Sequence, residues 1–270
     1  MVTQKIKCPK CKTSFIPIIK ESKPTALYHY TSFEVLTKLF NEKGELDDKK
    51  ALHFWFSNPL QTNDKNELHF YNEDLFNGVR GKEIEKEINR MKNEIGTPFT
   101  LSLVHQKKEI SNEIPLWKMY GDNFKGVRLK FNFKELQLNF NDRETKLIQC
   151  VYLNKTQMNE EIRQIKKTQR TELEEMYKKS VIYKTKEWAY ENEWRIVLWN
   201  KEIDDEGYRN DGRLYLSVKI PLSCLDVIEI GPKADQEAIE GSLNLIKAKL
   251  GDIEENKFKI QKSALQIGYI

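Results

Sequence analysis

The spacing of apolar and polar positions changes several times along the chain, and each change marks an element. Val127, Leu129, Phe131 and Phe133 alternate with Arg128, Lys130 and Asn132, the period-two signature of a half-buried strand over 126–133. Shorter runs of the same kind predict strands over 26–30, 52–57, 99–104, 147–153, 193–199, 213–220 and 225–231, with extended chain over 258–269. Helical spacing appears between them. Phe33, Leu36, Leu39 and Phe40 form one stripe behind Thr31 and Glu34, which have capping-box spacing, so a helix is expected to begin at Thr31 and stop at Gly44. Ile84, Ile88, Met91 and Ile95 predict an amphipathic helix over 82–95, and Ile239, Leu243, Ile246 and Leu250 another over 234–250. Helical segments over 62–76 and 114–120 and a long polar helix over 157–180 complete the pattern. The charged, glycine-containing loop 200–212 is read as joining two neighbouring strands. Strands interspersed irregularly with helices imply an α+β fold with a mixed, largely antiparallel sheet and flanking helices.

Composition narrows the setting. The 270 residues are 39% apolar and 11% aromatic, enough to bury a core and too much for a disordered chain. We expect one domain over 25–270 preceded by a basic leader over 1–24. No apolar run nears the roughly 20 residues that span a bilayer, and Lys5, Lys7, Lys10 and Lys12 interrupt any signal-like run, so no membrane partner is expected. Four cysteines do not form a disulfide framework at this length, which points to a reducing compartment, the cytoplasm. A net charge of +4 neither demands nor excludes an anionic partner. Neither a GxGxxG nor a GxxxxGK[ST] loop is present, so any nucleotide must be held another way.

Five groups of residues carry candidate chemistry. Cys8 and Cys11 have zinc-ligand spacing but supply only half of a four-ligand site, so zinc there needs further ligands. His29, Tyr30 and Thr31 stand where a strand feeds a helix, a place suited to a phosphate or a ribose hydroxyl, or to an aromatic pair beside a cap. Asn63, Asp64 and Glu67 either cap a helix or form a polar rim. Trp117 and Tyr120 would share one helix face, as core or as a stacking wall. Glu191, Glu193 and Arg195 share one face of a strand whose other face is Trp194, Ile196 and Leu198. Carboxylates entering an apolar strand are costly unless paired, so either Arg195 or Lys186 neutralises them or they line a cleft.

In this order the motifs resemble the bacterial family known as domain of unknown function 2971. The resemblance rests on His29-Tyr30-Thr31, Asn63-Asp64 with Glu67, Trp117 and Tyr120 followed by Gly126-Val127, Glu191 to Arg195, and the tail Ile228 to Pro232, and runs from Leu27 onward. That family is in turn similar to ADP-ribosyltransferases of the DNA- or RNA-modifying toxin type. The resemblance implies an NAD-dependent ADP-ribosyltransferase, a toxin-like or anti-phage defence effector that modifies nucleic acid or protein and is held in check by a neutralising antitoxin. NAD would be its substrate. Breaking the nicotinamide glycosidic bond passes through an oxocarbenium-like state that a fixed carboxylate stabilises. The resemblance assigns that role to Glu193, with Glu191 as its partner or as the catalytic group itself. Arg195 would orient the Glu193 carboxylate or meet a phosphate, and His29 would hold a ribose hydroxyl. Tyr120 or Tyr30 would stack on nicotinamide, Thr31 and Trp117 would also bind NAD, and Asn63, Asp64 and Glu67 would form the acceptor rim. Two other classes stay open. One is a magnesium-dependent nuclease using Asp64, Glu67, Glu191 and Glu193; the other is a non-enzymatic binding or sensor module whose carboxylates form salt bridges. What separates them is whether His29, Tyr120 and Glu193 surround one cavity large enough for NAD, roughly the upper part of the usual range of 300 to 1,000 Å³.

Overall fold

Period-two alternation builds one large sheet. The computed structural model describes residues 6–7, 14–15, 23–40, 51–59, 86, 89–91, 93–106, 113–142, 145–154, 156–157, 160, 177–178, 181–200, 214–250 and 258–265. Its strands are β1 (Ile6–Lys7), β2 (Ser14–Phe15), β3 (Ala26–Thr31), β4 (Ala51–Ser57), β5 (Thr97–Val104), β6 (Val127–Asn132), β7 (Thr145–Gln149), β8 (Val151–Leu153), β9 (Tyr183–Thr185), β10 (Glu193–Asn200), β11 (Tyr215–Pro221), β12 (Leu225–Ile230) and β13 (Lys259–Lys262). Between them run helices α1 (Phe33–Leu39), α2 (Glu113–Met119), α3 (Phe133–Asn139) and α4 (Gln236–Leu250), and a 3-10 segment, Lys186–Glu191. Nine of the described strands form the main sheet, in the path β11-β4-β5-β3-β6-β12-β13, with β10 against β5 and β7 against β10. All its pairings are antiparallel except β12 with β13, so the sheet is mixed and the fold is α+β.

The two faces of this sheet differ in chemistry. Leu27, Leu101, Leu103, Leu129, Phe131 and Ile196 are buried together on one face, where Leu36 and Leu39 of α1 and Ile246 of α4 join them. Partners across an antiparallel ladder share a face. The pairs Tyr28 with Val104, Glu193 with Val104, Arg195 with Ser102, Tyr30 with Arg128 and Glu229 with Arg128 therefore place an aromatic and charged set on the opposite face. Strand β10 puts Trp194, Ile196 and Leu198 against the core and Glu193 and Arg195 away from it, as its alternation predicts.

Several local expectations are corrected. The cap of α1 is Ser32, whose hydroxyl accepts from the Val35 N–H at 3.2 Å, whereas Thr31 completes β3. The helix ends at Leu39, short of Gly44. Phe133 does not extend β6, because Asn132 accepts from the Lys134 and Glu135 N–H groups and starts α3 there. The run 147–153 is two strands in different sheets, β7 beside β10 and β8 beside β9. Strands β10 and β11 are not neighbours, since β11 pairs with β4. Among the described residues no helix is long and apolar enough to cross a membrane.

Candidate active site

The sheet opens where β3 and β5 part. These strands share a single pair, Tyr28 with Val104, so the next residue of β3, His29, is paired with Leu129 of β6 on one side while β5 has diverged on the other. A cleft of about 310 Å³ forms there on the polar face. Tyr28, His29 and Tyr30 contribute one wall, Ser102 and Val104 the floor, and Tyr120, Lys184, Trp188, Glu191, Glu193 and Arg195 the other wall. The 3-10 segment, which carries Trp188 and Glu191, ends at Asn192 with φ 45° and ψ 50°, a left-handed turn that asparagine tolerates. Asn192 donates from its side chain to the His105 carbonyl at 2.8 Å, and its own carbonyl accepts from the His105 N–H at 3.0 Å. Glu191 and Glu193 are thus held on either side of a clamped residue and meet at one cation.

That cation is Lys184. Its ammonium lies 2.6 Å from Glu191 Oε2 and 2.7 Å from Glu193 Oε2. Arg195 adds Nε at 2.7 Å from Glu193 Oε1 and Nη2 at 3.3 Å from Oε2, while its Nη1 donates to the Val181 carbonyl at 2.6 Å. Glu193 is 2% exposed and has both oxygens taken. Burial alone would raise its carboxyl, but Arg195 and Lys184 outweigh burial and hold it at about 2. Glu191 is 3% exposed and is shifted the other way, upward, because burial dominates the help from Lys184 and Tyr120. Its Oε1 accepts from the Tyr120 hydroxyl at 2.7 Å, and Tyr120, 43% exposed, stands at the cleft mouth. Burial and the Glu191 carboxylate both keep the Tyr120 phenol protonated, so it is the donor.

His29 has a defined role in hydrogen bonding. Its Nδ1 lies 3.1 Å from the Ser102 carbonyl oxygen, which can only accept, so Nδ1 carries the proton. Burial lowers the imidazole below its usual value against the pull of that carbonyl, leaving Nε2 as a bare acceptor at neutral pH.

A second cluster adjoins the first on the same face. Arg128 donates through Nη2 to Glu229 at 2.6 Å and through Nη1 to the Tyr30 hydroxyl at 3.0 Å, Gln106 Oε1 at 2.9 Å and Glu113 at 3.1 Å. Its guanidinium also sits 4.7 Å from the Tyr28 ring centroid and 5.6 Å from those of Tyr30 and Trp117. Arg128 therefore backs the tyrosine wall of the cleft and ties it to α2 and β12.

The structure brings His29, Tyr30, Tyr120, Glu191, Glu193 and Arg195 to one cleft. Trp117 and Thr31 are elsewhere. Trp117 is fully buried, edge-on to Tyr30 at 5.1 Å, so it and Tyr120 do not share a face. Thr31 is buried at the end of β3 and is absent from the cleft lining. Asn63, Asp64 and Glu67 lie outside the described residues, as do Cys8 and Cys11. Among the described residues no group of three or more His, Cys, Asp or Glu side chains could hold a metal, and the space between Glu191 and Glu193 is filled by Lys184. The neutralising lysine is Lys184 rather than the exposed Lys186. Lys184 and Arg128 carry no recognisable signal of their own, although Arg128 interrupting an alternating strand beside a strand bearing Glu229 hints at a buried pair.

Comparison with known proteins adds two facts. The model of a family described as Protein of unknown function (DUF2971) matches residues 116–196. That span carries Tyr120, Lys184, Glu191, Glu193 and Arg195, one wall of the cleft, and is narrower than the motif resemblance running from Leu27 onward. Among solved structures, Thermus sp. 2.9 DarT in complex with NAD+ is similar at a TM-score of 0.35 and 9% identity, over 90% of this chain and 96% of that one. The same protein in complex with ADP-ribosylated ssDNA gives 0.35 and 10%, over 88% and 95%. No curated protein matches.

Chemically, the cleft offers aromatic walls and two buried carboxylates, of which one has its charge fully paired and the other meets the mouth through a neutral phenol, while the His29 ring borders it from the side of Leu129 and Phe54, edge-on to the latter at 5.3 Å. Such a set can bind a sugar hydroxyl and steady a developing positive charge.

Proposed function

We propose that the cleft receives the nicotinamide-ribose end of NAD and that the protein is an ADP-ribosyltransferase acting on a macromolecular acceptor, nucleic acid or protein. The observation that carries this reading is the convergence of His29, Tyr120, Glu191 and Glu193, from three separate stretches of chain, on one cleft. Its volume of about 310 Å³ lies at the low end for ligand sites, which suits a nucleoside-sized group rather than a whole dinucleotide. In this reading His29 Nε2 accepts from a ribose hydroxyl. Tyr28 and Trp188 provide ring surfaces for nicotinamide.

Glu191 is the carboxylate that meets the substrate, because toward the mouth its partner among the described residues is a neutral hydroxyl that a sugar hydroxyl can replace. Glu193 is a positioning residue, its charge spent on Arg195 and Lys184. The reaction breaks the bond between C1′ and the nicotinamide nitrogen, whose electron pair leaves with the ring and cancels its positive charge. The acceptor nucleophile then bonds to C1′ and gives up its proton. Glu191 stabilises the cationic sugar between these events.

Purified protein incubated with NAD labelled in the adenylate part, with and without cell extract, tests the proposal. Nicotinamide release and label transfer are expected, with Glu191→Gln reducing the rate by roughly 10²–10³-fold. If neither product forms, or if Glu191→Gln keeps full activity, the reading is wrong.

A further inference from the structure

The charges lining the cleft do not yet favour a cation. Glu191 and Glu193 are matched by Lys184 and Arg195, so the four groups sum to zero. A site that steadies a cationic sugar gains most from uncompensated negative charge close by. One of the two cations must therefore move when the ligand is in place. Arg195 is poorly suited to moving, since its planar group is bonded to both Glu193 oxygens and to the Val181 carbonyl, on a strand paired along both sides. Lys184 is better suited, being a point charge on a flexible four-carbon stem. Where it stands between the carboxylates, its ammonium also lies 5.4 Å from the centroid of the Trp188 ring at the cleft wall.

We propose that Lys184 is a specificity-determining residue that selects ligands carrying a phosphate next to the ribose: the phosphate takes the ammonium from Glu191 and leaves that carboxylate uncompensated. This inference rests on the proposed function for the identity of the sugar. A neutral nucleoside cannot make the exchange, because it would have to compete with Lys184 for Glu191 while offering the lysine nothing. A nucleotide supplies a charge-assisted acceptor in return. The cleft then discriminates by charge as well as by shape.

The test compares nicotinamide riboside, nicotinamide mononucleotide and NAD on the full-length protein, by binding calorimetry and by nicotinamide release. The phosphorylated ligands are expected to bind about 10- to 100-fold tighter than the riboside, the value of one hydrogen bond to a charged group. Lys184→Met should abolish that preference, and Lys184→Arg should retain part of it. Since Lys184→Met leaves one of the two buried carboxylates unmatched, Arg195 still pairing with Glu193, the double variant Lys184→Met with Glu193→Gln serves as the charge-balanced form. Circular dichroism checks that each variant folds. Equal affinity of the native protein for riboside and mononucleotide overturns the inference, as does a phosphate preference that survives in the folded double variant. If phosphate preference is present and depends on Lys184 while no ligand is cleaved, the transferase reading fails and the role of Lys184 stands.

Discussion

Replacing Arg128 with methionine should unfold the protein at a markedly lower temperature. The guanidinium is 5% exposed and sits between Glu113 and Glu229, whose side chains are 12% and 9% exposed. Methionine fills much of the same volume but leaves both carboxylates without their cation and the Tyr30 hydroxyl and Gln106 without their donor. Removing one partner of a buried ion pair costs about 3–5 kcal/mol, mostly from the charge left behind. For a chain of this size each kcal/mol moves Tm by roughly 2–4 °C, so Arg128→Met should melt about 6–20 °C below the parent. Thermal unfolding followed by far-UV circular dichroism measures this directly. The origin of the loss is checked by adding Glu229→Gln, which removes the nearer orphaned charge and should recover part of the fall. Glu113→Gln alone, at the more exposed end of the cluster, should cost about 1 kcal/mol. An Arg128→Met protein that melts within 2 °C of the parent would show that the cluster is solvated in solution and does not brace the tyrosine wall.

Three further outcomes follow from single features. Glu193 titrates at about 2 when folded against an ordinary 4.5, so the stability it contributes is complete above about 4.5 and is lost as pH falls toward 2. Acid melts of Glu193→Gln should lack that slope, and an unchanged slope would contradict the pairing. His29, lowered by burial, should show Nδ1 protonated and Nε2 bare in nitrogen NMR at neutral pH; a doubly protonated ring there would remove the proposed ribose acceptor. Glycine positions should split by surroundings. A Cβ at Gly126 would lie 2.2 Å from the Thr31 carbonyl oxygen, so Gly126→Ala should cost at least about 2 kcal/mol. At Gly241, inside α4 with nothing within 4 Å, alanine should instead stabilise by about 0.5–1 kcal/mol, and chemical denaturation reads both signs.

How much of this was readable in the residues depends on whether the signal was periodic or depended on pairing. Alternation along β6 and β10 identified which side chains face the core, and it placed Glu193 and Arg195 on the other face. The starts of α1 and α3 differ from the hydrophobic pattern because capping competes with hydrophobic phase. Phe133 continues the alternation of β6, yet Asn132 with Glu135 three residues on has cap spacing, and the cap prevails. Strand partners were beyond such reasoning. The connection between β10 and β11 looks like a hairpin loop, but alternation says which face is apolar and not which strand lies beside it, and β11 finds β4.

The same limit explains the site. His29, Tyr120 and the two glutamates stand out as residue types, whereas Lys184 is one lysine among many in a three-residue strand with no periodic signal. Only pairing β8 with β9 and the turn at Asn192 bring its ammonium between the carboxylates. That placement changes the chemistry assigned to each glutamate. Without Lys184, Glu193 is the natural choice for a charge facing the sugar, since it begins a rigid strand. With Lys184 and Arg195 in position, its negative charge is answered on both oxygens, and the group with chemistry to spare is Glu191, whose mouth-side oxygen accepts, among the described residues, from the neutral Tyr120 hydroxyl. Activity in Glu191→Gln and Glu193→Gln therefore separates the two assignments. A residual rate higher in Glu193→Gln than in Glu191→Gln, once both are shown to fold, is what a positioning role for Glu193 requires, and the reverse order would return the sugar-facing role to Glu193.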